Sequence, residues 1–194
     1  MYLQKLNVRI EAWGPTFWYM YHKIAISYDE EKAKEDEKYK KAYIIFFNNF
    51  HKILPCKSCS EHYAKLKKER KVINFMNSKE QLFKWSVDNH NIVNKRLKKK
   101  QFTVDEVNIK YNESLKDNMV MKFMNYLFRL SLKYYNVGII KKITNNLVYI
   151  LPSPEYRIGL KIRLKNVNNM KKLHTSQQLR NWFKKNHNIL INKK

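Results

Sequence analysis

The 194 residues include 40 Lys and Arg against 16 Asp and Glu, a formal net charge of +24 at pH 7. Hydrophobic residues make up 44% and aromatics 14%, which excludes a disordered polyelectrolyte and predicts a real core. With 3 Gly, 4 Pro and 2 Cys, neither a turn-rich all-β fold nor a disulfide framework fits, and the chain reads as long helices.

No apolar run approaches the ~20 residues of a membrane span. Residues 1–10 lack the uninterrupted apolar stretch of a signal peptide. The expectation is a soluble, non-secreted protein. The positive charge predicts contact with a polyanion, whether nucleic acid, anionic lipid or an acidic partner. A second reading is compositional. The excess is mainly Lys, with abundant Asn, Ile and Tyr, as an AT-rich coding sequence would give without any partner.

In chain order, Trp13-Gly14-Pro15-Thr16 predicts a helix start, and the helix runs from Thr16 to about Tyr28. Phe17, Met20, Tyr21, Ile24 and Ala25 recur at helical spacing, as do Trp18, His22 and Ile26. The charged stretch 29–41 reads as a loop leading into the first exposed turns of a second helix, which ends at Leu54. There Pro55 disfavours helical geometry at the residue before it. A third helix is expected from Cys56 or Lys57 to about Arg70. A fourth is expected from Lys79 to Lys98, with Leu82, Phe83, Trp85, Val87, Ile92, Val93 and Leu97 facing inward. Four helices with short joints make a compact bundle.

Beyond about Thr103 the character changes. Asn118 to Leu132 predicts an apolar helix. Ile139–Leu151 and Tyr156–Leu164 alternate more than they cycle around Pro152-Ser153-Pro154, which leaves room for a short β-hairpin. Ser176 to Leu190 reads as a last helix. After Asp117 the sole acidic residue is Glu155, and no motif marks this half. The fold class is therefore all-α, a four-helix bundle over 1–104 and a basic, mainly helical extension over 105–194.

The only two cysteines, Cys56 and Cys59, form a Cys-x-x-Cys directly after Pro55. Such a pair at a helix start is either a redox-active disulfide or half of a metal site. A helix N-terminus and Lys57 both favour thiolate. The metal alternative takes His51-x4-Cys56-x2-Cys59-x2-His62 as a compressed tetrahedral zinc site. A third alternative is a basic scaffold or nucleic-acid-binding protein in which the cysteines are incidental. A cysteine pair alone cannot pass electrons to oxygen, so the redox reading requires a cofactor surface. Trp18 and His22 share a helix face; Trp85, His90, Asn91, Val93 and Asn94 share the fourth helix. The run Lys95-Arg96-Leu97-Lys98-Lys99-Lys100 follows directly and suits a pyrophosphate. Taken singly, these residues have plainer readings: His22, Trp18, Trp85 and Tyr63 as core, the lysine run as a solvated helix end. His174 and His187 suggest no role.

Three blocks, Trp13-Gly14-Pro15-Thr16-x-Trp18-x3-His22, Pro55-Cys56-x2-Cys59 and Trp85-x4-His90-Asn91-x-Val93-Asn94-x2-Leu97-x-Lys99-x2-Phe102, occur in one order. Together they resemble the Erv/ALR family of FAD-linked sulfhydryl oxidases over about residues 8–102. The Lys- and Asn-rich composition looks like the versions carried by large DNA viruses. The resemblance implies a bundle holding FAD beside the cysteine pair, which takes electrons from substrate dithiols and delivers them through FAD to oxygen, giving hydrogen peroxide. It implies Cys59 at the flavin and Cys56 at the substrate thiol. It implies FAD contacts from Gly14, Thr16, Trp18, His22, Tyr63, His90, Asn91, Val93, Asn94, Lys99 and Phe102. It also implies a homodimer, and a location in the host cytoplasm (viral factory) or the virion. Family members often carry a second, shuttle cysteine pair. With none in these residues, the shuttle is expected from a partner, or substrates reach Cys56 directly. A Gly often precedes the lysine matched by Lys99; here Lys98 stands in that place.

Overall fold

The computed structural model describes residues 10–111, 118–120, 122–124, 126–127, 137–166, 175, 177–178 and 181. It is all-α: no strand occurs among the described residues. Helix α1 spans Ile10–Ile26, α2 Glu30–Glu35, α3 Glu37–Asn49, α4 Lys57–Glu69, α5 Lys79–Arg96 and α6 Val104–Tyr111. Single 3-10 turns lie at Phe50–Ile53 and Val72–Phe75. In the extension, α7 covers Val137–Ile150 and α8 Pro154–Asn166. None of these helices is long and apolar enough to cross a membrane.

Four helices meet at Tyr21. Its ring lies 4.9 Å from Phe47 of α3 and 6.0 Å from Tyr63 of α4, and Phe47 sits 5.1 Å from Trp85 of α5, all edge-on. Edge-to-face aromatic contact is the preferred geometry and adds to area burial. The phenol is paired too. Asn89 Nδ2 donates to Tyr21 Oη at 3.1 Å, Tyr21 and Tyr63 hydroxyls lie 2.8 Å apart, and Tyr63 donates to the Phe47 carbonyl. A buried polar chain with every member partnered fixes one register of four helices. Arg70 ties its outer end, with Nε on Asn89 and a guanidinium N–H on Asp88.

The structure departs from the sequence expectations at several elements. Helix α1 begins before the Gly-Pro pair and runs through Pro15. Its first turns are anchored from outside: Trp13 is buried edge-on to Phe17, Phe17 packs on Phe123, and Tyr126 donates to the Ala12 carbonyl at 2.7 Å. Tertiary packing thus outweighs the backbone bond that proline forgoes. The charged stretch after Tyr28 is not a loop. Asp29 caps α2 by accepting from Lys32 N, and Asp36 caps α3 by accepting from Tyr39 N. Helix α3 stops at Asn49; the 3-10 turn carries the chain to Leu54, which is extended before Pro55 as expected.

On α5 the inward set is narrower than predicted. Leu82, Phe83, Trp85 and Val87 are buried, whereas Ile92 and Leu97 are 36% and 38% exposed. The room left for a β-hairpin is taken instead by two helices, α7 and α8. Ile140, Ile143, Leu147 and Ile150 of α7 are all buried, a spacing of three and four that only a helix places on one face. That face packs against α3, and α8 packs against α7. The described residues within 118–132 are helical, as expected, and so are 177, 178 and 181; the rest of both predicted helices lies outside the described residues.

Candidate active site

Cys56 is the N-cap of α4. It is extended, at φ −122° and ψ 121°, the non-helical geometry of an N-cap before a helix begins. Cys56 and Cys59 are joined in a disulfide with Cα atoms 5.2 Å apart. Cys56 Sγ accepts the Cys59 backbone N–H at 3.2 Å, and the Ser58 hydroxyl lies 3.3 Å from it. The cap position points unpaired backbone N–H groups at the sulfur, which favours negative charge there. Both cysteines are partly exposed. No group of three or more His, Cys, Asp or Glu that could hold a metal occurs among the described residues, so His51 and His62 do not complete the zinc arrangement.

Cys59 forms part of the wall of a cavity of about 500 Å³ at the end of the bundle. Of the residues implied by the three blocks, Gly14, Trp18, Tyr63, His90, Val93, Asn94, Lys99 and Phe102 also border it. Thr16, His22, Asn91 and Cys56 do not border it. Thr16 and His22 are buried behind the wall. Asn91 works on the backbone instead: Nδ2 donates to the Phe102 carbonyl at 2.7 Å and Oδ1 accepts Phe102 N–H at 2.9 Å. That two-point clamp holds the segment after α5 against the cavity.

Trp18 and His90 stack face to face, centroids 3.9 Å apart and 8° from parallel. Behind them His22 Nε2 lies 2.9 Å from His90 Nδ1. Both histidines are held neutral. Burial is the first cause for each; His90 and Lys110 add to it for His22, and Lys110 and Lys99 lower His90 to about 3. At the rim, Lys98 takes φ 53°, the left-handed geometry that favours glycine. The turn is kept because Lys99 N donates to Asn94 O at 2.8 Å and Asn94 Nδ2 donates to Lys100 O at 3.0 Å. The lysine that replaces glycine therefore leaves the turn intact.

Sequence reasoning missed part of the wall. Trp13, Phe50, Leu54, His62, Lys110 and Tyr111 border the cavity. Arg96 and Lys100 border it too, but they belong to the basic run already expected to meet a pyrophosphate. Lys110 and Tyr111 come from α6, beyond the last recognisable block. The Tyr111 carbonyl accepts from Lys23 Nζ at 2.8 Å, which docks α6 on α1. No sequence signal pointed to it, since Lys110 is the one basic residue of α6, beside Asp105 and Glu106.

The lining suits a flat, anionic, aromatic ligand. Stacked rings and apolar groups form the walls, Arg96, Lys99, Lys100 and Lys110 supply positive charge, and Glu11 is the sole lining carboxylate among the described residues. The Trp13 indole N–H is buried on this wall without an acceptor among the described residues. The volume falls in the range of ligand and cofactor pockets. A disulfide at a helix N-terminus, opening on an aromatic cavity in an all-α bundle, defines a dithiol–disulfide redox protein with room for a cofactor.

Comparison with known proteins agrees with that class. The Erv1 / Alr family model matches residues 15–112, half of the chain, and the chain belongs to that family. It is 37% identical over 97 residues to a probable FAD-linked sulfhydryl oxidase of Acanthamoeba polyphaga mimivirus, covering 50% of this chain and 66% of the relative. It is 35% identical over 104 residues to the FAD-linked sulfhydryl oxidase of African swine fever virus, covering 53% and 82%. The mitochondrial FAD-linked sulfhydryl oxidase of Saccharomyces cerevisiae is 31% identical over 93 residues, covering 48% and 47%. The chain thus spans just under two thirds of the mimivirus relative and about half of the yeast one. No solved structure matches the chain.

Proposed function

We propose that this chain is an FAD-linked sulfhydryl oxidase that makes disulfides in substrate proteins. The observation that carries this reading is the placement of Cys59 on the wall of the same cavity as the Trp18–His90 stack and the rim cations. Bound FAD supplies a two-electron acceptor that oxygen can reoxidise to give hydrogen peroxide. The protein's own residues perform the exchange. A substrate thiolate attacks Cys56 Sγ, the Cys56–Cys59 bond breaks, and Cys59 leaves as thiolate into the cavity wall. The second substrate thiolate attacks the substrate sulfur of the mixed disulfide and expels Cys56. Two electrons then reside on the cysteine pair and the substrate departs as a disulfide. The helix N-terminus, Cys59 N–H and the Ser58 hydroxyl stabilise the Cys56 thiolate in that second step.

The site assignment is part of the proposal. Trp18, His90, Tyr63, Val93 and Phe102 would wall the rings, Gly14 and Asn94 would approach them closely, and Lys99 would meet the pyrophosphate. Thr16, His22 and Asn91 would act from behind, by holding that wall. We further propose a division of labour near residue 104, with the extension supporting the bundle through α7. The 194 residues hold no third cysteine. A shuttle dithiol on a partner, or direct access of substrates to Cys56, would deliver the electrons. A homodimer, non-specific polyanion contact through the lysine-rich surface, and residence in the host cytoplasm or virion complete the reading.

The test is Cys59→Ser. The variant should retain FAD at the wild-type ratio and lose dithiol-driven oxygen consumption to background. Substantial residual oxidation would contradict the route, and a wild-type protein that binds no added FAD would contradict the function.

A further inference from the structure

Ser86 lies on α5 one turn before His90 and is fully buried. It does not border the cavity, yet it decides what the cavity presents. Its hydroxyl donates to the Phe83 carbonyl at 2.7 Å. A serine has one hydroxyl proton. With that proton committed, Oγ can only accept from His22 Nδ1, 3.0 Å away. His22 Nδ1 therefore carries the hydrogen. A neutral imidazole has one, so His22 Nε2 is an acceptor. His90 Nδ1, 2.9 Å from it, must then donate. That uses the single hydrogen of neutral His90 and leaves its Nε2 with a bare lone pair. This nitrogen has no hydrogen-bond partner among the described residues. It is not sealed off either, because His90 is only partly buried and borders the cavity. The parallel Trp18 ring fixes the imidazole plane and so the direction of the lone pair.

We propose that Ser86 is a positioning residue that sets the tautomers of His22 and His90, so that His90 offers the cavity an acceptor and selects a hydrogen-bond donor on the bound nucleotide. An amine, ring N–H or hydroxyl satisfies that nitrogen. A phosphate or carbonyl oxygen would meet lone pair with lone pair, so anionic groups are steered to Arg96, Lys99 and Lys110 on the same lining. The ligand's identity rests on the proposed function above; the tautomers do not.

The experiment is a nitrogen-15 histidine spectrum at pH 7 of the protein with and without FAD, for wild type, Ser86→Ala and Ser86→Thr. Wild type should show the hydrogen on Nδ1 of both histidines and an unprotonated His90 Nε2, in either state. Ser86→Ala removes the acceptor for His22 Nδ1–H, so both rings should redistribute toward the other tautomer. FAD affinity should fall about tenfold, the weight of one hydrogen bond. Ser86→Thr restores the hydroxyl and should restore both readouts. A wild-type His90 protonated on Nε2 overturns the proposal even if no Ser86 variant folds. A Ser86→Ala protein with unchanged tautomers overturns it as well. Shifted tautomers with unchanged FAD affinity overturn the selection of a donor. Wild-type protein that binds no FAD leaves the tautomer result standing and sinks the oxidase reading instead.

Discussion

The α1–α5 end of the bundle and the α3–α7 side both bury apolar residues and are finished in opposite ways. At α3–α7, Ile140, Ile143, Leu147 and Ile150 are buried and the seam is closed. At α1–α5 a cavity of about 500 Å³ stays open among rings, and the polar groups behind it are paired with care. Protein interiors normally close to crystal-like density. A gap kept open by an ordered network is therefore a place for something to bind, whereas the closed seam only adds stability. Substitutions in the two regions should separate these roles.

The largest contrast is between Leu147→Ala and Trp18→Ala. Leu147 is fully buried on α7, and truncation should cost about 2–5 kcal/mol of stability. Flavin content per folded protein should not change. Trp18→Ala should instead lower FAD affinity by about tenfold or more, since it removes the stacked wall. Thermal unfolding and flavin absorbance of the two variants check this. Equal flavin loss in both would erase the distinction between the regions.

Acid should expose the α1–α5 end next. His90 has its folded pKa lowered from 6.5 to about 3 by burial, Lys110 and Lys99. The unfolded chain thus binds the extra proton first, so this group's contribution is complete above about pH 6.5 and is lost as pH falls toward 3. Between pH 6.5 and 5 the loss should be ~2 kcal/mol. Denaturant titrations of wild type and His90→Asn should show a shallower acid slope in the variant. Parallel slopes would contradict the neutral pair.

The smallest effect concerns the rim. Lys98 holds φ 53°, so Lys98→Gly should stabilise by up to about 1 kcal/mol, read as a raised unfolding midpoint. A drop would mean that the lysine side chain contributes more than its backbone costs.

The same contrast explains what the sequence made legible. The cavity end was legible because its chemistry needs particular residue types at fixed spacing: Trp18 and His22 one turn apart, Cys56 and Cys59 around a cap, His90 to Phe102 across a turn. The α3–α7 seam was not, because apolar packing tolerates many patterns. The 139–151 stretch alternates locally while its buried set, Ile140, Ile143, Leu147 and Ile150, cycles at helical spacing. The start of α1 was misplaced since Trp13, Phe123 and Tyr126 hold a turn that Pro15 alone would discourage. Ser86 and Lys110 escaped notice because their roles depend on which atoms they meet across the fold.

The most direct measurement is the visible spectrum of the purified protein before and after anaerobic addition of a dithiol, followed by air. The account predicts flavin absorbance that bleaches with dithiol in wild type, recovers in air, and does not bleach in Cys59→Ser. A colourless protein that takes up no FAD, or a flavin that bleaches equally in the variant, would contradict a relay through the Cys56–Cys59 pair.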